Sequence, residues 1–196
     1  IRASMIGSDG YVDRANTNLM AGMASFRKFY KNREFRFNVI TGREKTYAAW
    51  FGINRETLDT NRRFNPAGTE KPGTPYDNET DNYQQDHYQL HWNEKISDKW
   101  NTNLAFHYTK GKGYYENYKE DAAFADYGLT PVGSEVSTDL IRQKWLDNDF
   151  YGTTFSINYK SEKLNLIIGG AYNKYEGTHF GKVIWARFAS QSELGD

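Results

Sequence analysis

The feature that most constrains this chain is a period of two in side-chain polarity, repeated in segments that are joined alternately by short turns and long connections. In the clearest segment, Tyr88, Leu90 and Trp92 alternate with polar residues. Successive side chains of a β-strand point to opposite faces, so this alternation predicts strands with one apolar and one polar face. Six such segments predict an all-β fold of antiparallel up-and-down hairpins.

The six segments form three predicted hairpins, at about 19–42, 83–115 and 147–177, with tight turns near residues 32, 98 and 161. The register of the first hairpin is ambiguous because the alternation before Tyr30 is irregular. Turn position predicts the register of the other two.

The predicted register of the second hairpin sets Leu90 opposite Phe106, and that of the third sets Ile157 opposite Leu166 and Phe155 opposite Ile168. Both registers place apolar partners on the same face. Nine residues form the predicted lipid-facing belt: Tyr88, Leu90, Trp92, Leu104, Phe106, Phe155, Ile157, Leu166 and Ile168. The predicted lumen face carries His91, Asn93, Asn103, Asn158 and Asn165.

Long connections at about 43–82 and 116–146 distinguish between the possible β folds. They are unusual in a compact soluble domain, whereas outer-membrane barrels combine short turns at one end with long extracellular loops at the other. From Tyr151 to Tyr159 a strand covers about 26 Å, or about 20 Å along the membrane normal at a tilt near 40°, close to the apolar band of such barrels. We therefore expect residues 1–196 to be a partial transmembrane β-barrel of about six strands, an excerpt of a longer chain.

Composition excludes several classes of function. The 25 basic and 25 acidic residues give zero formal net charge, which argues against a nucleic-acid partner. The chain has no cysteine, and hence no thiolate nucleophile or Cys-ligated metal site. No catalytic signature is present, and we expect neither an enzyme nor a bound cofactor.

Several segments resemble the barrel of TonB-dependent outer-membrane receptors. Residues 42–50, which read GREKTYAAW, and residues 61–68, NRRFNPAG, are two of them. The others are residues 104–115, 145–152, 169–177 and 179–181.

The resemblance implies a barrel of about 22 strands with an N-terminal plug and ligand capture by extracellular loops. It also implies active import of a scarce ligand, such as an iron chelate or a glycan, across the outer membrane of a Gram-negative bacterium. The implied partners are outer-membrane lipid, the plug and remaining strands of the same chain, an inner-membrane energy-coupling complex that acts through a segment absent here, and a surface lipoprotein.

Aromatic residues in the predicted loops are the candidate ligand contacts, because flat amphipathic rings stack on sugars and on ring-bearing chelators. The alternative is that these rings pack the loops against one another. The candidates are Tyr47, Trp50, Tyr76, Tyr114, Tyr115 and Trp145, with Tyr118 and Trp185 in the wider set.

Two other clusters are weaker candidates for sites. His87 or His91 could approach His107, but i,i+4 positions on a strand lie about 13 Å apart, so metal binding is disfavoured and no metal is expected. The acidic residues between 116 and 149 lack the spacing of a calcium loop and predict a solvated face. The alternative function is a soluble all-β module that binds carbohydrate through exposed aromatic residues.

Overall fold

The computed structural model describes residues 1–189 and residue 194. Seven strands form one antiparallel sheet in sequence order. They are β1 (Arg2–Ser8), β2 (Thr17–Tyr30), β3 (Arg33–Tyr47), β4 (Thr80–Lys95), β5 (Trp100–Ala123), β6 (Ser137–Lys160) and β7 (Asn165–Ala186). A short helix, α1 (Arg55–Thr60), and a 3-10 turn (Phe124–Tyr127) lie in two of the connections.

This architecture confirms the predicted all-β, up-and-down fold, and the open sheet is consistent with an excerpt. One strand was missed: β1 pairs with β2 through residues that alternate poorly, such as Ala3 opposite Gly22. The alternation criterion does not detect this strand, because the adjacent apolar residues Met5 and Ile6 lie on opposite faces.

The strands are longer than the sequence suggested, and the connections are shorter. β3 and β4 both continue into the first predicted loop, so the connection between them is 48–79 and not 43–82. β5 and β6 are each 24 residues long and reduce the second connection from 116–146 to 124–136. The prediction failed because residues 116–123 and 137–146 carry polar side chains on both faces, so the apolar alternation stops while the strands continue.

The predicted register is confirmed for the β4–β5 hairpin and is wrong for the β6–β7 hairpin. In the β4–β5 hairpin Leu90 pairs with Phe106, as predicted. In the β6–β7 hairpin Ile157 pairs with Ile168 and Phe155 with Gly170, so the predicted register is wrong by two residues. The turn comprises residues 161–164, closed by a 2.8 Å bond from Ser161 N to Leu164 O, whereas the pairing of Tyr159 with Leu164 assumed a turn of the same length one residue earlier, at 160–163. A shift of two preserves the face of each side chain.

The pairings place all nine belt residues on one face of the sheet, which we call the belt face. The opposite face carries the five residues predicted for the lumen, although Ile167 and Tyr175 of β7 also lie there. Among the described residues no second layer covers the belt face, and Phe106, Phe155 and Ile168 are each at least half exposed.

The apolar band on the belt face runs obliquely across the rows of paired residues. On β7 it extends from Leu166 to Tyr172, and on β2 from Phe26 to Met20. The row of paired residues that contains Tyr172 crosses the sheet to Phe26. Tyr172 is the loop-side limit of the apolar band on β7, whereas Phe26 is the turn-side limit of the band on β2. Both limits thus shift by six residues, about 20 Å, across five strand spacings of about 4.8 Å each. The band is inclined by about 40° to the hydrogen-bond direction.

Candidate ligand-binding region at the loop end of the sheet

The loop end of the sheet is built around the part of β5 that extends beyond β4. The last β4–β5 pair is Asp81 with Tyr115, whereas pairing of β5 with β6 continues to Ala123. One edge of residues 116–123 therefore has no strand beside it. The connection 48–79 meets this edge, where Glu70 accepts a bond from the Glu120 backbone N–H at 3.3 Å and forms an ion pair with Lys119.

The connection 48–79 is fixed to its own base through buried Tyr47, the last residue of β3. The Tyr47 hydroxyl donates to the Tyr76 carbonyl, and Arg14, from the β1–β2 connection, donates to that hydroxyl at 3.2 Å. Gly68 has φ +79°, and a Cβ there would lie 2.4 Å from the Tyr47 hydroxyl. Only glycine fits this conformation and this close approach.

Arg14 also ties the β1–β2 connection to the loop 48–79. Its Nη2 donates to the carbonyls of Asn65 and Ala67 at 2.6 and 2.9 Å. The Asn65 amide in turn donates to the carbonyls of Asp13 and Ala48 at 2.9 and 2.8 Å. These bonds join two connections and the end of β3 into one ordered unit.

Glu116 is the second fixed point of the region. Its buried carboxylate accepts from the Tyr76 hydroxyl at 2.6 Å, the Asn78 amide at 2.5 Å and the Gln143 amide at 2.7 Å. Burial, followed by the hydrogen bond to Glu116, raises the pKa of Tyr76. The phenol is therefore neutral and acts as a donor at physiological pH.

Glu79 provides a similar link on the other side of the loop. It accepts from the Gly68 backbone N–H at 2.9 Å and from the Tyr115 hydroxyl at 2.7 Å. Together, Glu79 and Glu116 connect the loop 48–79 to both faces of β5, because consecutive residues 115 and 116 point to opposite faces.

The β5–β6 connection has a small apolar core of its own. Phe124 and Leu140 are almost fully buried and pack with Ala122, Leu129 and Ala186. The β5–β6 register shifts between Lys119 and Ala122, where Asp121 adopts φ 49°. A bulge of this kind bends a strand locally, and this one immediately precedes Ala122 of the core.

The six candidate ligand contacts do not form one cluster. Tyr114, Tyr115 and Trp145 lie within strands and Tyr47 ends one, which corrects their assignment to loops; only Trp50 and Tyr76 lie in a loop. Tyr47 is only 1% exposed, so its role is in packing.

The remaining rings divide between the two faces. Tyr114 and Trp145 pair on the belt face, with ring centres 4.6 Å apart, and Phe180 stacks on Trp145 at 5.9 Å. Tyr115 lies on the opposite face, where Trp50 contacts it at 5.8 Å. Trp50 is 58% exposed. The Trp50–Tyr115 pair is therefore the aromatic contact best placed for a ligand on the face opposite the belt.

His87 and His107 have separate partners, and the buried Nε2 of His91 has no hydrogen-bond partner among the described residues. His87 bonds Thr109 at 2.9 Å, and His107 bonds Asn173 at 2.8 Å. The described residues contain no group of three or more His, Cys, Asp or Glu side chains that could hold a metal ion.

Two acidic residues of β6, Asp147 and Asp149, are paired with lysines of β5. Lys110 contacts Asp147 and Asp149 at 2.6 and 2.9 Å, and Lys112 contacts Asp147 at 3.1 Å. On β7, Lys174 pairs with Glu176 at 2.7 Å. These six residues together with Asp86 form a charged collar on the belt face of four strands, at the loop side of the apolar band.

Sequence reasoning missed the polar residues that organise this region, namely Arg14, Asn65, Glu79 and Glu116. Apart from the bond from the Ala67 backbone N–H to Asn65, their side-chain hydrogen bonds join residues between 11 and 53 positions apart, and no local spacing signals such contacts. Glu116 had been grouped with acidic residues expected to be solvated, whereas it is 3% exposed.

No protein-family model and no curated protein matched this sequence. Within the described part of the chain, no helix is long and apolar enough to cross a membrane.

Proposed function

We propose that the chain forms part of the barrel wall and the extracellular loops of an outer-membrane nutrient receptor of a Gram-negative bacterium. The receptor imports a scarce ligand, such as an iron chelate or a glycan, by energy-coupled active transport and without catalysis. The observation that carries the proposal is the oblique course of the apolar band across the sheet.

The inclination of the band is what a tilted barrel requires. The strands of outer-membrane barrels tilt by about 35–45° from the membrane normal. A band that stays level with the membrane must then cross the hydrogen-bond rows at the same angle. The inclination of about 40° in this sheet falls in that range.

Aromatic rings and charges at the limits of the band support the same orientation. Tyr88, Tyr108 and Tyr151 form one row at its loop side, and Trp100 contacts Tyr159 at its turn side. Such rings are enriched at both membrane interfaces. The charged collar follows immediately beyond the tyrosine row.

The two ends of the sheet differ in the length of their connections, as the proposed function requires. Connections at one end are residues 31–32, 96–99 and 161–164, whereas those at the other are 9–16, 48–79 and 124–136. Short periplasmic turns and long extracellular loops are typical of outer-membrane barrels. The proposal therefore places the Trp50–Tyr115 pair at the extracellular mouth.

The proposed partners follow from this placement. Outer-membrane lipid covers the belt face, and the remaining strands of the barrel extend the free edges of β1 and β7. A plug fills the lumen, an inner-membrane complex supplies energy, and a surface lipoprotein covers the mouth.

The experiment compares arginine substitutions on the two faces in the full-length receptor. Leu90→Arg, at the centre of the band on β4, should cost about 2–4 kcal/mol and reduce the heat-modifiable, outer-membrane form, whereas Leu166→Arg, at the turn-side limit of the band on β7, should cost less. Asn103→Arg, on the opposite face, is the matched control and should be tolerated. Equal losses on both faces would contradict the proposal.

The rival function is a soluble carbohydrate-binding module. The exposed side chain of Trp50 favours this alternative, because such a module binds carbohydrate through exposed aromatic residues. However, a sandwich needs a second sheet over the belt face, and the described residues form one sheet. Recovery of the full-length protein in the soluble fraction, with the same yield of the Leu90→Arg variant as of the wild type, would favour this alternative.

A further inference from the structure

Arg43 differs from the other cations on the belt face near the limit of the band. Lys110, Lys112 and Lys174 all have carboxylate partners within 3.1 Å. The side chain of Arg43 is exposed, and it forms no hydrogen bond or ion pair with any residue that the structure describes.

A shallow apolar groove lies directly on the turn side of Arg43. It crosses β1, β2 and β3, has a volume of about 470 Å³, and is bounded by Met5 and Met20. Small residues form the floor of the groove: Ala3 and Gly22 are paired on the belt face, and Thr41 lies beside Gly22. The groove lies within the apolar band, where the band is shifted furthest towards the loops.

A second hollow of about 220 Å³ lies on the loop side of Arg43. Asn18, Met20 and Lys45 line it together with Arg43, which borders both hollows. The amine of Lys45 donates to Asn78 at 2.8 Å and has no carboxylate partner in the described chain. An apolar groove thus meets a hollow lined by two cationic side chains, Arg43 and Lys45, at one unpaired guanidinium.

We propose that this surface binds one phosphate-bearing lipid of the outer leaflet, with an acyl chain in the groove between β1 and β3 and the phosphate on Arg43. The guanidinium offers two parallel donors to phosphate oxygens, and Lys45 and Asn18 border the headgroup. The absence of a carboxylate beside Arg43 leaves its charge available, unlike the charges of the collar lysines. This inference rests on the proposed function, because it requires the belt face to lie in a membrane.

The test measures lipid retained by the detergent-extracted full-length receptor, using native mass spectrometry with phosphatidic acid as the probe. Diacylglycerol with the same acyl chains is the control ligand, since it lacks the phosphate. We expect the wild-type protein to retain phosphatidic acid in preference to diacylglycerol. Arg43→Gln should reduce retention about tenfold, which corresponds to the loss of one charge-assisted contact.

Two further variants separate this site from general membrane electrostatics. Lys110→Gln removes a collar cation that already has carboxylate partners and should leave retention unchanged. Gly22→Leu fills the groove with an apolar side chain whose Cβ would lie 3.3 Å from Cγ2 of Thr41, and it should lower retention while the amount of heat-modifiable receptor stays constant.

The outcomes also separate this inference from the proposed function. A receptor that assembles in the outer membrane but retains phosphatidic acid equally in wild type and Arg43→Gln overturns the lipid site alone. Equal losses in Arg43→Gln and Lys110→Gln, or equal retention of diacylglycerol, do the same. A wild-type protein that does not assemble in the outer membrane overturns both.

Discussion

At the scale of single residues, Glu116 is the polar group on which the loop 48–79 depends most. It accepts from one loop hydroxyl, one loop amide and one strand amide while almost fully buried. A buried carboxylate with three donors is satisfied, whereas the same donors without it lose their acceptor.

Glu116→Ala should therefore destabilise the loop by about 1–3 kcal/mol, because Tyr76, Asn78 and Gln143 lose a common acceptor. Limited proteolysis of the assembled receptor should show faster cleavage within 48–79. Asp98→Ala is the control, since it removes an exposed turn carboxylate whose partner is Lys95. Unchanged cleavage in Glu116→Ala would show that the loop is held by other contacts.

At the scale of elements, the β6–β7 hairpin shows how a turn decides a register. The side chains of β6 and β7 favour any even register equally, because each one keeps the apolar residues on the belt face. The four-residue turn 161–164 selects the pairing of Ile157 with Ile168 over its pairing with Leu166.

Cysteine pairs can test this register directly, since the chain has no cysteine of its own. In the full-length receptor, Ile157→Cys with Ile168→Cys should cross-link faster than Ile157→Cys with Leu166→Cys, because only the first pair is directly opposed. Gel mobility after mild oxidation measures the rates. Faster cross-linking of the second pair would restore the register expected from the sequence.

The extension of β5 and β6 beyond the end of β4 determines the structure of the loop end of the sheet. The apolar alternation of β5 ends near Tyr108, yet the strand continues for 15 further residues because its backbone goes on pairing with that of β6 as far as Ala123. The loop 48–79 then packs along the unpaired edge. The candidate binding region is consequently a two-stranded extension of the sheet with a loop packed along its edge.

At the scale of the whole molecule, the open sheet exposes two unpaired edges, on β1 and β7, and one apolar face. Such a sheet is stable in water only when those surfaces are covered. We expect the 196-residue chain by itself to associate or to require detergent. Light scattering in detergent-free buffer measures this, and a compact monomer would contradict it.

Ligand preference should reside in the loop end of the molecule. Exchange of 48–79 and 124–136 in the full-length receptor for the loops of a receptor with another ligand should transfer at least part of the binding preference, because binding residues concentrate on loops held by a rigid wall. Binding of both ligands is measured before and after the exchange. An unchanged preference in an assembled receptor would place specificity in the plug.

The sequence by itself determined the class of the fold, the belt face and the pairing of Leu90 with Phe106, because a period of two and the position of a turn are local properties of the chain. Only the tertiary structure decided which aromatic rings share a face, where β5 and β6 end, and that Glu116 is buried. These features depend on contacts such as that of Tyr76 with Glu116, between residues 40 positions apart. Backbone pairing continues a strand after its apolar pattern has ended, so neither its length nor the loop packed against it is written in the local alternation.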